Sequence, residues 1–313
     1  LNIQRAVIVT HGLQRNAGDY FVAVANALHN DTDPTLVVIA PHFKGYVPNT
    51  SRNDALEDFE LHWSCNGTDA FNRIHRWDDG GQAHDTNEEV VYSFSMIDRL
   101  LQLLDNNELF PNLTKITITG HSDGGQFTQR YATGNQLDGT INASVKYVIA
   151  NPGSYMYLDN RRLPRGETCF ECGRCTSEFI VNWDPLRTCP RTYNNYKYGL
   201  QARDFGYMRS DQPGFTDDDL RGRFTSRLVA YLLGEADQRN NAQFDTSCPA
   251  TAQGSHLQDD GTGLIGGRRE RGTIFWNYIR QLGADHSLTI VPTCGHDEFC
   301  MYRSQEMADA LLF

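Results

Sequence analysis

Ser122 stands in Gly120-His-Ser-Asp-Gly124, directly after the apolar run Lys115-Ile-Thr-Ile-Thr119 and directly before a helical stretch. This G-x-S-x-G pattern fits a strand that turns sharply into a helix, with glycines on both sides leaving the serine hydroxyl exposed at the turn. The first N–H groups of such a helix lack intrahelical partners, so that of Asp123 points where an oxyanion would form. The chemistry such a hydroxyl performs is acyl transfer. Serine is a poor nucleophile at neutral pH, so a base has to stand beside it.

His296, in Cys294-Gly-His-Asp297, follows the strand-like run Leu288-Thr-Ile-Val291. Asp237, in Gly234-Glu-Ala-Asp237, follows the strand-like run Arg227–Leu233, with Glu235 and Asp245 as competing acids. Both therefore fall at the strand edge that carries Ser122, with His296 as general base and Asp237 as the acid that orients it. The other histidines read differently. His121 is a packed neighbour of the serine, His11 shapes the turn after the first strand, His286 is a surface residue, and His256 lies in a polar loop.

The elements that must hold these residues alternate along the chain. Strand patterns occupy Arg5–Thr10, Leu36–Ala40, Lys115–Thr119, Val145–Ala150, Arg227–Leu233 and Leu288–Val291. Helical patterns occupy Asn16–Asn30, with Phe21, Val24, Ala25 and Leu28 inward, and a segment carrying Phe94, Ile97, Leu101 and Leu104 on one face. Further helices run from Gly124 toward Thr133, from Arg268 to Leu282 and from Gln305 to Leu312. Strands separated by helices imply an α/β fold with a mostly parallel sheet and helices on both faces. Residues 42–89 read as a polar excursion. Residues 156–226 read as a cap inserted after the fourth strand, leaving 1–155 and 227–313 as the core. Thr216 followed by Asp217, Asp218 and Asp219 suits a helix N-terminus better than a calcium site.

The 313 residues are 39% hydrophobic and 21% charged, enough for a large core, and no run approaches the length of a membrane span. A net charge of −11 argues against nucleic acid, whose binding needs a basic surface. The eight cysteines and the Asn-x-Ser/Thr sites at Asn30, Asn49, Asn66, Asn112 and Asn142 together favour a secreted, glycosylated and disulfide-bonded protein. Cys169, Cys172, Cys175 and Cys189 make the cap disulfide-rich, with a zinc site as the rival reading. Cys294 pairs with Cys300 or with Cys248, and either bridge would steady the His296 loop.

Through these motifs the chain resembles the α/β-hydrolase superfamily over nearly its whole length. The resemblance rests on His11-Gly12 after a strand, Gly120-His-Ser-Asp-Gly124, Gly234-x-x-Asp237 and Gly295-His296. Gly125-Gln-Phe-x-x-Arg130-Tyr131 and Val291-Pro-x-x-Gly295-His296-Asp297 narrow it to esterase-like members. It implies Ser122 as nucleophile, His296 as base, Asp237 as acid, and the N–H groups of Leu13 and Asp123 as the oxyanion hole. The chain departs from the family in opening without its first two strands, and in carrying Asp123 where a small or apolar residue is commoner.

The expected function is a secreted serine esterase that needs neither metal nor organic cofactor. Its partner is a small polar or aromatic ester, with no nucleic acid and no membrane. His11, Tyr155 and Tyr157 are expected at the substrate, while Tyr193, Tyr196 and Tyr198 either line the pocket or pack at a cap–core seam. Acyltransferase or lyase chemistry uses the same three side chains, and a silent binding module uses the same fold.

Overall fold

The computed structural model describes residues 2–28, 33–46, 54–64, 76–84, 86, 89–163, 178–179, 193–238, 247–254, 256–257, 264–265 and 267–312. Every run read as a strand joins one six-stranded sheet. Its strands are β1 (Arg5–Thr10), β2 (Leu36–Ile39), β5 (Lys115–His121), β6 (Ser144–Ala150), β7 (Leu228–Gly234) and β10 (Ser287–Val291). Their spatial order is β10-β7-β6-β5-β1-β2, and every neighbouring pair is parallel. Two small pairs complete the strands, β3 (Lys44–Tyr46) with β4 (His62–Ser64), and β8 (His256–Leu257) with β9 (Leu264–Ile265). The helices are α1 (Ala17–Ala27), α2 (Ser93–Leu104), α3 (Asp123–Gly134), α4 (Asp217–Thr225), α5 (Cys248–Thr251), α6 (Arg268–Gln281), α7 (Glu298–Arg303) and α8 (Gln305–Leu311). Among the described residues no helix is long and apolar enough to cross a membrane.

Successive strand residues point to opposite faces, so the sheet feeds two cores. Ala6, Ile8, Ile116, Ile118, Tyr147 and Ile149 pack with Phe94 and Ile97 of α2, Phe127 of α3 and Phe275 of α6. Val7, Val9, Val148, Ala150, Leu232 and Val291 pack with Tyr20 and Val24 of α1, Met301 of α7 and Met307 of α8. Each fully buried aliphatic side chain contributes about 1.5–3 kcal/mol.

The chain leaves β1 toward β2 on one side, then returns after α2 to β5 on the other. Connections diverge between β1 and β5. In open parallel sheets the crevice beyond the carboxyl ends at such a divide is where ligands bind. The segments meeting there follow Thr10 and His121.

Two expectations need correction, the inward face of α1 and the place of His286. In α1 the inward residues are Ala17, Tyr20, Ala23 and Val24, while Phe21 is 40% exposed. The helix is rotated so that the Tyr20 hydroxyl reaches His121 Nδ1 at 3.3 Å. His286 is buried, with its ring between the Phe224 carbonyl and the Tyr231 hydroxyl. The 42–89 excursion delivers Phe43, Trp63 and Trp77 into the main core. The described parts of 156–226 also join that core, through Tyr157, Leu158, Leu200, Met208, Phe215 and Phe224. Thr216 does cap α4, accepting from the Asp219 N–H while Asp219 accepts from the Thr216 N–H. Residues 164–177 and 180–192, with all four cap cysteines, lie outside the described residues, as does Cys65.

Candidate active site

The turn at Ser122 is sharp enough to strain its backbone. Ser122 has φ 60° and ψ −121°, outside the usual regions for a residue with a side chain. Such conformations cost about 1–3 kcal/mol and persist where the surroundings enforce them. Here the Ser122 N–H donates to the Ala150 carbonyl at 3.0 Å, and the Gln126 N–H donates to the Ser122 carbonyl at 3.0 Å. Close packing demands the flanking glycines. A Cβ on Gly120 would overlap the Gly124 carbonyl and the Thr10 hydroxyl, and one on Gly124 would strike the carbonyls of Thr10 and His11.

Three distant segments converge at this turn. His296 Nε2 lies 2.9 Å from Ser122 Oγ, and His296 Nδ1 lies 2.8 Å from Asp237 Oδ2. Asp237 Oδ1 faces Arg268 at 3.6 Å, so the buried carboxylate has a cation on its far side. The competing acid Glu235 is turned away, accepting from the Thr293 N–H at 3.0 Å. Asp245 lies outside the described residues. The turns bearing Asp237 and His296 are zipped together: the Glu235 N–H donates to Val291 O, and the Ala236 N–H to Cys294 O at 2.8 Å. A Cys294–Cys300 disulfide closes the loop around His296.

The turn after β1 forms the opposite wall. Leu13, Gln14, Asn16 and Glu298 line a cleft with Ser122 and His296. Asp123 opens α3, so its N–H has no intrahelical acceptor, and Leu13 sits across the cleft. His11 is fully buried behind this wall rather than at the cleft. Phe43 N–H donates to its Nε2 at 3.0 Å, so the ring proton sits on Nδ1, which lies 2.9 Å from the Gly12 carbonyl. Burial pulls its pKa down to about 3, and Trp77 packs against the ring at 4.4 Å. His11 therefore braces the turn as a neutral group.

Asp123 belongs to a charge cluster that sequence reasoning missed. It accepts from Arg76 at 2.8 Å and from the Gln126 amide at 2.7 Å. Arg76 also donates to Asp78 at 2.7 Å, while Arg130 and Lys197 pair with Asp79 at 2.9 and 3.2 Å. Burial and the nearby Asp78 raise the Asp123 carboxyl above the ordinary range despite Arg76. Burial also pushes Asp78 up, but Arg76, Lys197 and Arg130 outweigh it and hold that carboxyl low. Three carboxylates thus meet three cations next to Ser122, which answers for the acid after the serine.

Tyr155 and Tyr157 are not at the cleft. Both are fully buried, Tyr155 stacked on Phe275 at 4.5 Å and Tyr157 against Tyr278 at 4.6 Å. Tyr193 and Tyr198 bond to Asn160 O and Ser247 Oγ, and Tyr196 to Asp79 O. Asn112 and Asn142 are exposed; Asn30, Asn49 and Asn66 lie outside the described residues. Among the described residues no cluster of side chains could hold a metal ion.

No family model and no curated protein sequence matches the chain. Solved structures do. Poly(aspartic acid) hydrolase-1 from Sphingomonas sp. KT-1 superposes with TM-score 0.59 at 19% identity, over 100% of this chain and 89% of that one. LpqC, a poly(3-hydroxybutyrate) depolymerase from Bordetella parapertussis, superposes with TM-score 0.54 at 19% identity, over 97% and 77%. Strand order, the strained serine turn and these superpositions agree that the chain has the α/β-hydrolase fold.

Proposed function

We propose that this chain is a serine hydrolase that cleaves carboxylic esters through an acyl-enzyme. The observation that carries the reading is the continuous line of hydrogen bonds from Ser122 Oγ through His296 to Asp237. His296 Nε2 takes the Ser122 proton as Oγ attacks the ester carbonyl. The oxyanion of the tetrahedral intermediate falls to the N–H groups of Leu13 and Asp123, each such donor being worth about 10²–10³ in rate. Protonated His296 then gives its proton to the leaving alkoxide and the ester C–O bond breaks. Water attacks the acyl-serine with His296 again as base, releasing the acid and restoring Ser122.

Gln14, Asn16 and Glu298 give the cleft mouth a polar character, which favours a polar ester over a triglyceride. The two superposed enzymes are named for hydrolysis and depolymerisation, in keeping with this chemistry. The Cys294–Cys300 bridge favours an oxidising compartment, hence secretion, with glycans at exposed Asn112 and Asn142. A panel of p-nitrophenyl, feruloyl and acetyl-sugar esters tests the reading. Turnover by the wild type that Ser122→Ala abolishes supports it, and turnover that survives in Ser122→Ala overturns it. Added alcohol diverting the acyl group from water would mark a transferase instead.

A further inference from the structure

We infer that Asn151 is a positioning residue that sets the segments carrying Ser122, Asp237 and His296 at their working separation; this rests on the hydrolase reading above. Asn151 is fully buried at the first position past β6, in the left-handed region at φ 43°. Its side-chain Oδ1 accepts the Gly234 N–H at 2.8 Å. Its Nδ2 lies 3.3 Å from the Gly295 carbonyl and 3.4 Å from His121 Nε2. Gly234 begins the turn to Asp237, Gly295 precedes His296, and His121 precedes Ser122. One amide therefore touches the approach to each of the three groups.

The orientation of that amide is forced by its partners. A backbone N–H only donates and a carbonyl only accepts, so oxygen must face Gly234 and nitrogen must face Gly295. His121 Nε2 must then be the unprotonated ring nitrogen, which puts the His121 proton on Nδ1, toward the Tyr20 hydroxyl. Tyr20 in turn rests against Gly12 of the opposite cleft wall, its oxygen 2.7 Å from where a Cβ would stand. The Asn151 N–H donates to Leu232 O at 3.1 Å, anchoring the hub to β7.

A bland alternative is that asparagine is present only because it tolerates positive φ. Two variants separate the readings. Asn151→Asp keeps size, backbone tolerance and Oδ1 but loses both amide hydrogens. Asn151→Gly keeps the backbone angle freely and loses the whole side chain.

The measurement is the rate at which a fluorophosphonate probe labels Ser122 as probe concentration is raised, on protein shown to unfold cooperatively. Misplacing reacting groups by about 1 Å costs about 10²-fold. The limiting rate is expected to fall about 10–100-fold in both variants, with half-saturation unchanged within about 2-fold. A folded variant that keeps the wild-type limiting rate, or that changes only half-saturation, overturns the inference. Asn151→Asp decides alone if the glycine variant does not fold. Failure of wild-type Ser122 to label at all would overturn the hydrolase reading itself, a separate result.

Discussion

The imidazole of His121 lies against that of His296, ring centroids 4.6 Å apart and planes inclined by 33°. Burial, then the proximity of His296 and Arg268, holds the His121 pKa well below the ordinary imidazole value. His121 is thus a neutral spacer, and in the proposed reaction His296 alone is placed to take the serine proton. The acid limb of log(kcat/KM) should fall with a slope of about one per pH unit. A slope approaching two would mean that His121 charges in the same range.

Asp237 Oδ2 lies 2.8 Å from His296 Nδ1, and in the proposed reaction this contact holds the ring in a single useful tautomer. Asp237→Asn keeps the shape but offers the ring an amide. Activity should drop about 10³–10⁴-fold with little change in thermal stability. A drop below about 10-fold would show that another group orients the ring.

The Cys294–Cys300 bridge spans a sequence separation of 6 and encloses His296. A loop that short contributes about 2 kcal/mol by loss of unfolded-state freedom. Replacing both cysteines by serine should lower unfolding free energy by about that amount and slow turnover only several-fold, because the Asp297 side chain still accepts the backbone N–H of residue 300 and caps α7. Urea unfolding and steady-state rates check it; an equally stable, equally active variant contradicts it.

His286 gives a stability test far from the chemistry. Burial lowers its pKa to about 4, so below about 6.5 the unfolded chain takes up a proton that the folded chain refuses. Its contribution is complete above that pH and is lost as pH falls toward 4, at up to about 1.4 kcal/mol per unit. Between pH 6 and 5 the wild type should lose about 1 kcal/mol more than His286→Asn in urea unfolding. Equal losses would show that His286 does not resist protonation.

Local pattern made much of this molecule legible. The β-branched runs became strands, and the glycine-flanked serine, Gly234-x-x-Asp237 and Gly295-His296 met because carboxyl ends of parallel strands share one edge. What sequence hid is set by packing between distant segments. Phe21 fits an apolar stripe yet faces out, because Tyr20 is drawn to His121. Tyr155 and Tyr157 looked like pocket aromatics, but Phe275 and Tyr278 on α6 enclose them. Asn151 and the Arg76–Asp123 pair carry no spacing signal, since the partners lie tens of residues apart. The one hint for Asn151 was a polar residue directly after a buried strand at the edge that bears the serine.

In the proposed reaction His296 makes the Ser122 hydroxyl nucleophilic. Intact-mass and peptide mapping after treatment with diisopropyl fluorophosphate tests it without knowledge of the natural substrate. A single stoichiometric adduct on Ser122 in the wild type, lost in His296→Ala, is the predicted result. No adduct on Ser122, or one that forms as fast without His296, would contradict the account.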